Sequence, residues 1–193
     1  MLPYPESAEP FRLVAIDPGV DNMGVSLFED HMDGRNVYLL NDCYTFSPKV
    51  NASGYRGITD FHDGRISRLF QIADHLRNLL HTYQPHGFII EGNYYGRFAD
   101  AFAALTECVL IARTVLFEYD PFMPLSVVDP TTAKKSVGMQ RIKGTNKDDV
   151  KDALKLIKDI TWLVDIDSLD QHSIDSVAIG YHYLKHIRDT LAC

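Results

Sequence analysis

Apolar residues fall along the chain in short continuous runs, in alternating stretches and in stretches of helical period, and each kind predicts a different element. Arg12–Ile16 is a continuous run after its first residue, as expected of a short buried strand. Asp17–Asn22 interrupts it with Pro and Gly, and Met23–Glu29 resumes with apolar residues at alternate positions. A hairpin therefore opens the fold. Val37–Phe46, rich in β-branched and aromatic residues, reads as a third strand, and Ser47–His62, with two glycines and no periodicity, as a loop. Its length marks it, since structureless connections beyond about 12–15 residues are usually functional or disordered.

Ile66, Leu69, Phe70, Ala73, Leu76, Leu80 and Tyr83 then recur at helical spacing up to Pro85 and Gly87, predicting an amphipathic helix. Gly87–Glu91 is a brief apolar run ending on a carboxylate, suited to a central parallel strand that delivers Glu91 to its C-terminal edge. Phe98–Phe117 is apolar around most of its circumference, which implies burial in the core on one side and against a second subunit on the other. Leu125–Val128 reads as a fifth strand and Pro130–Val137 as a short helix. Asn146 suits the cap of a helix burying Val150, Ala153, Leu154 and Ile157, with Lys147, Lys151, Lys155 and Lys158 on its other side. A last helix begins near Ser173, with Ile174, Val177, Ala178, Tyr181 and Ile187 inward. The expectation is an α/β fold, a five-stranded mixed sheet flanked by helices. It occupies one domain over 1–193, with residues 1–10, which hold three prolines, as a flexible leader.

Composition narrows the class. The 193 residues, 46% of them hydrophobic, are enough for a full core without disulfides or structural metal. Cys43, Cys108 and Cys193 are odd in number and lack C-x-x-C spacing, so a disulfide framework and a zinc site are both unexpected. No apolar stretch reaches the ~18 residues that span a bilayer, and the N-terminus lacks a basic region followed by an apolar run. The expected location is the cytoplasm, the host's if the chain is viral, with no membrane partner.

A formal charge of −7 taken alone opposes nucleic-acid binding, which draws free energy from Lys and Arg displacing counterions. The charge is unevenly placed, however. Lys134 to Lys158 holds eight Lys or Arg against three Asp, a local net charge of +5. An acidic chain with one basic segment and a carboxylate cluster is compatible with a nuclease that needs a divalent cation before DNA can approach.

The carboxylates in question end otherwise apolar elements: Asp17 closes LVAID, Glu91 closes FIIE, and Asp175 sits in the first turn of the last helix. Burying a carboxylate costs several kcal/mol unless it is paired or bound to a cation. Three at the lips of one sheet point to a divalent-metal cage, and oxygen donors favour Mg²⁺ or Mn²⁺ over zinc. His172, one turn before Asp175, is placed to serve as a ligand or as proton carrier for an attacking water. Each also has a plainer use: Asp before Pro-Gly is a common turn device, Glu91 suits an ion pair, Asp175 suits a helix dipole, and His172 suits a helix start. The combination and its order carry the signal.

At this point the chain resembles the RuvC-type Holliday-junction resolvases of the ribonuclease H-like superfamily along nearly its whole length. The resemblance runs through AIDPGVDNMGVS, IIEGNYYGRFADAFAAL, VDPTTAKKSVG with KGTNKDDVKDAL, and HSIDSVAIGYHYL, four motifs in order. It implies a ribonuclease H-like fold and metal ligands at Asp17, Glu91, His172 and Asp175. The last helix of that family presents two ligands three residues apart. Many members have Asp where this chain has His172, and Asp170 is the other residue able to complete the set.

The resemblance also implies that Tyr94, three positions after Glu91, wedges into unstacked DNA. Lys134 or Lys135, and Lys147, resemble lysines near the scissile phosphate, with Lys147 catalytic; Lys134, Lys135, Arg141, Lys143, Lys147 and Lys151 make up the expected DNA-binding segment. A solvated helix face is the plainer reading of these cations. The activity implied is Mg²⁺-dependent cleavage of four-way DNA junctions, as in recombination and repair, by two-metal-ion hydrolysis leaving a 5′ phosphate. A homodimer built on the helix after Glu91 would supply two sites related by a two-fold axis.

Three rivals remain open. The DPG turn also resembles the phosphate loop of actin-like ATPases and sugar kinases, which need two such domains. A relaxed flap or fork nuclease would use identical residues. A catalytically silent branched-DNA binding module would need none of them, and retention of every ligand position argues against it. A serine or cysteine hydrolase lacks its G-x-S-x-G motif and a convincing nucleophile.

Overall fold

The computed structural model describes residues 9–35, 37–92, 99–139 and 149–191, with the side chains beyond 186 left aside. Tyr94, Phe98, Arg141, Lys143, Asn146 and Lys147 lie outside the described residues, as does the side chain of Ile187.

The strands are β1 (Phe11–Asp17), β2 (Met23–Asp30), β3 (Tyr38–Phe46), β4 (Gly87–Glu91), β5 (Leu125–Val128) and β6 (Ile160–Trp162). The α-helices are α1 (Arg56–Phe61), α2 (Gly64–Tyr83), α3 (Ala99–Tyr119), α4 (Pro130–Ser136), α5 (Asp149–Lys155) and α6 (Gln171–Leu191). One sheet runs in the order β5-β4-β1-β2-β3-β6. β1, β2 and β3 form an antiparallel meander, whereas β4 on β1, β5 on β4 and β6 on β3 are parallel.

The unbroken apolar run of β1 follows from burial on both faces of the sheet. Side chains alternate along a strand, so Leu13 and Ala15 join the core layer under α6 with Phe28, Leu40, Val177 and Ala178. Val14 and Ile16 join the opposite layer under α2 and α3 with Phe88, Ile72, Leu76 and Ala112. Gly180 lets α6 lie close on the sheet, because a Cβ there would overlap the Phe28 ring. At the start of α2, Asp63 caps the helix by accepting from the Ile66 N–H at 2.8 Å.

Several expectations are corrected. The sheet has six described strands, not five. β6 is three residues long, too short for any period to show, and exists because Tyr38–Leu40 offers its open edge at Ile160–Trp162. The expected loop Ser47–His62 holds a 3₁₀ turn, Ser53–Tyr55, and α1. It is held by bonds that sequence pattern does not display: Tyr55 donates to Asp74 at 2.5 Å and Thr59 to the Val50 carbonyl at 2.8 Å. Phe70, placed on the inner face of α2, is half-exposed. α5 ends at Lys155, so Lys158 lies beyond the helix and the expected lysine stripe does not continue to it.

Candidate active site

Parallel pairing brings the first two carboxylates together. Ile16 lies beside Ile90 in the β1–β4 register, so the next residue of each strand, Asp17 and Glu91, emerges at the same C-terminal edge of the sheet. The third arrives from above. The N-terminal end of α6 rests on β2 where Gly24 pairs with Asp17. A Cβ on Gly24 would overlap the carbonyl oxygen of His172 and come within 3.2 Å of Asp17 Cβ, so only glycine admits the helix at this height. His172 Nδ1 donates to Asp17 Oδ2 at 2.9 Å, and Asp175 is buried one turn further on.

The electrostatics show how closely these groups are coupled. Burial, then the neighbouring charges of Asp17 and Asp175, push the Glu91 carboxyl up to about 8, with Lys134 partly opposing. Burial likewise raises Asp175, and Lys134 offsets it. The Lys134 ammonium stands 3.5 Å from Asp175 Oδ1, an ion pair whose geometry falls short of a hydrogen bond, so that buried oxygen has no hydrogen-bond partner. The hydrogen bond that His172 donates to Asp17 raises its pKa, outweighing its partial burial.

Among the described residues, no three His, Cys, Asp or Glu side chains stand close enough to close around one ion. Asp17 is turned to His172 and Asp175 toward Lys134. The chemistry of the donors nonetheless fits a hard divalent cation. They are oxygens plus one imidazole, one buried carboxylate oxygen is unbonded, and Glu91 resists ionisation without an added positive charge.

Asp170, the alternative fourth ligand, is otherwise engaged. Its Oδ1 accepts from the Ser173 N–H at 2.9 Å, the Ser173 hydroxyl at 2.9 Å and the Thr45 hydroxyl at 2.6 Å. Burial opposes its ionisation, but these bonds prevail and hold its pKa below the usual carboxylate range. Asp170 thus caps α6 and ties it to β3. Cys43 extends the tie, its thiol donating to the Ser173 carbonyl at 3.3 Å. This scaffold and Gly24 were missed in the sequence. The signal was Asp170, four residues before the first inward residue Ile174, a helix-start spacing.

The expected DNA-contacting cations are dispersed. Lys134 belongs to the carboxylate cluster. Lys135 faces the opposite flank of α4, lining a groove with His182. Lys151 donates to the Leu169 carbonyl at 2.6 Å, and Lys155 pairs with Asp167. No helix among the described residues is long and apolar enough to cross a membrane.

No protein-family model matches the chain, and no curated protein matches it in sequence. Solved structures do match. Thermus thermophilus RuvC superposes with a TM-score of 0.68 at 15% identity, over 93% of this chain and 97% of that one. T. thermophilus RuvC in complex with a Holliday junction substrate gives 0.63 at 14% identity, over 92% and 95%. The yeast mitochondrial Holliday junction resolvase gives 0.63 at 14%, over 96% and 85%. With six described strands in this order, helices on both faces and this extent of superposition, the chain has the ribonuclease H-like fold of the RuvC-type resolvases.

Proposed function

We propose that the protein is a structure-selective endodeoxyribonuclease that cuts four-way DNA junctions by divalent-metal-dependent phosphodiester hydrolysis, leaving 5′ phosphates. The observation that carries this reading is the convergence of Asp17, Glu91 and Asp175 at one sheet edge, where burial and then the two neighbouring carboxylates push Glu91 up to about 8. A fold serves many functions, so the site bears the weight. The likeness to RuvC in complex with a Holliday junction substrate and to a mitochondrial Holliday junction resolvase supports the choice of substrate.

Asp17, Glu91, His172 and Asp175 would hold Mg²⁺, or Mn²⁺ in its place. When bound, the cations supply an acidified water and positive charge for the leaving 3′ oxygen. Around them, Asp17 orients His172 through the 2.9 Å bond. That bond raises the pKa of His172, so its imidazole holds a proton more firmly than a free histidine does. Lys134 keeps its ammonium beside Asp175, ready to turn to a non-bridging phosphate oxygen. Tyr94, Arg141, Lys143 and Lys147 remain proposed DNA contacts. Homodimerisation is proposed through α3, whose Leu110 and Phe117, two turns apart on one face, are 59% and 64% exposed.

The test is incubation with a synthetic four-way junction and a matched duplex in Mg²⁺, Mn²⁺ or EDTA, alongside Asp17→Asn and Asp175→Asn. Paired, metal-dependent nicks that either substitution reduces at least about 100-fold support the proposal. Binding without cleavage in any metal would reassign the protein as a silent junction binder. Equal cutting of flaps, forks and junctions would make it a general debranching nuclease.

A further inference from the structure

Away from the carboxylates, α4 and α6 enclose a groove lined by Thr132, Lys135, Ser136, His182, Lys185 and His186. It continues past His182 and His186 onto Ser126 and Val127 of the edge strand β5. In a chain of net charge −7, no carboxylate is among the described lining residues. Two ammonium groups, two hydroxyls and two imidazoles make a donor-rich surface of the kind that contacts phosphate oxygens without reading bases.

Side chains of the groove pack on one another. The His182 and His186 rings stack with centroids 6.3 Å apart and planes 13° apart. The Lys185 ammonium lies 5.6 Å from the centre of the Tyr181 ring. Burial, then the adjacent His186, holds His182 below its ordinary pKa, against the pull of Asp129. His182 is therefore biased toward its uncharged, hydrogen-bonding form, and Lys135 and Lys185 bring ammonium groups to the groove.

Its position relates it to the candidate site. His182 and His186 follow Asp175 by seven and eleven residues on α6. At 3.6 residues per turn all three fall on nearly one face of the helix, about 10 and 16 Å apart along the axis from Asp175. Each DNA strand carries one phosphate per about 3.4 Å of duplex axis, so the groove stands roughly three to five nucleotides from the scissile position.

We propose that this groove is a second DNA contact, holding the sugar–phosphate backbone of a junction arm a few nucleotides from the cut. The inference rests on the nuclease reading above and adds an arm-binding surface to it. The experiment measures junction affinity with Ca²⁺ in place of Mg²⁺ across a KCl series, for wild type, Lys185→Ala/His186→Ala and Thr132→Glu. Glu at position 132 falls where a helix capped by Asp129 favours it, so charge is added with the fold kept.

For the double variant the slope of log affinity against log salt should become shallower by about 0.9, which is about eightfold weaker binding at 0.1 M KCl. Thr132→Glu should weaken long-armed junctions similarly, and neither should affect junctions whose arms end before the groove. Single-turnover cleavage of the saturated complex in Mg²⁺ should be unchanged for both. An unchanged slope in variants of a wild type that binds junctions would overturn the groove alone, whereas wild type that binds no DNA would overturn the nuclease reading as well. Inorganic phosphate raising the wild-type melting temperature but not the double variant's, with unchanged DNA slopes, would make the groove a small-anion site and overturn the proposal.

Discussion

Replacing Glu91 by Gln in the metal-free protein should stabilise it at alkaline pH and leave it nearly unchanged at pH 4.5. The folded protein holds the Glu91 proton up to about pH 8, against an ordinary value of 4.5. Above pH 4.5 the unfolded chain releases a proton that the native state keeps, so stability falls as pH rises, and the loss is complete only above about 8. At about 1.36 kcal/mol per tenfold change in proton affinity, the full cost of ionising folded Glu91 is on the order of 5 kcal/mol. If half is realised, a chain of this size gains about 5–10 °C in melting temperature at pH 8.5 on substitution by the uncharged isostere. Thermal melts from pH 4.5 to 8.5 in EDTA would show wild type declining along this interval more steeply than Glu91→Gln. Adding Mg²⁺ at pH 8.5 should raise wild type well above its metal-free value and raise the variant less, because the cation takes the place of the missing counter-charge. Parallel melting curves for the two proteins across the range would refute the claim that Glu91 is buried beside Asp17 and Asp175 without a full counter-charge.

Further predictions concern what holds that cluster. Gly24→Ala places a methyl group against the His172 carbonyl and should cost about 3 kcal/mol, with junction cleavage falling in step as α6 is lifted; a melt and a single-turnover assay report both. Asp170→Ala removes the cap of α6 and should cost about 1 kcal/mol, lowering the melting temperature by about 2–4 °C, while Asp170→Ser retains most of the stability. Leu110→Glu with Phe117→Glu should convert a dimer to a monomer in sedimentation velocity; a wild type already monomeric at micromolar concentration would remove α3 as the interface.

Much of this was legible in the sequence, for identifiable reasons. A strand buried on both faces must be apolar at every position, so β1 and β4 stood out, as did the carboxylate at the end of each. Amphipathic period marked α2 and α6 because both cover a sheet on one side only. Local patterns thus determined most of the elements and the order of Asp17, Glu91, His172 and Asp175 along the chain.

Only the tertiary structure decided how those residues meet. Pairing between β1 and β4, which sets Ile16 beside Ile90, aligns Asp17 with Glu91, and register between distant strands leaves no trace in either one alone. The same holds for β6, which exists because β3 has an open edge, and for the helices in the expected loop, held by bonds to α2 and the preceding segment. Gly24 reads in the sequence as an unremarkable strand glycine; its role is set by the backbone of α6, which crosses it about 150 residues later. Contacts between remote residues depend on which surfaces close packing brings together, a property of the whole fold and not of any window of sequence.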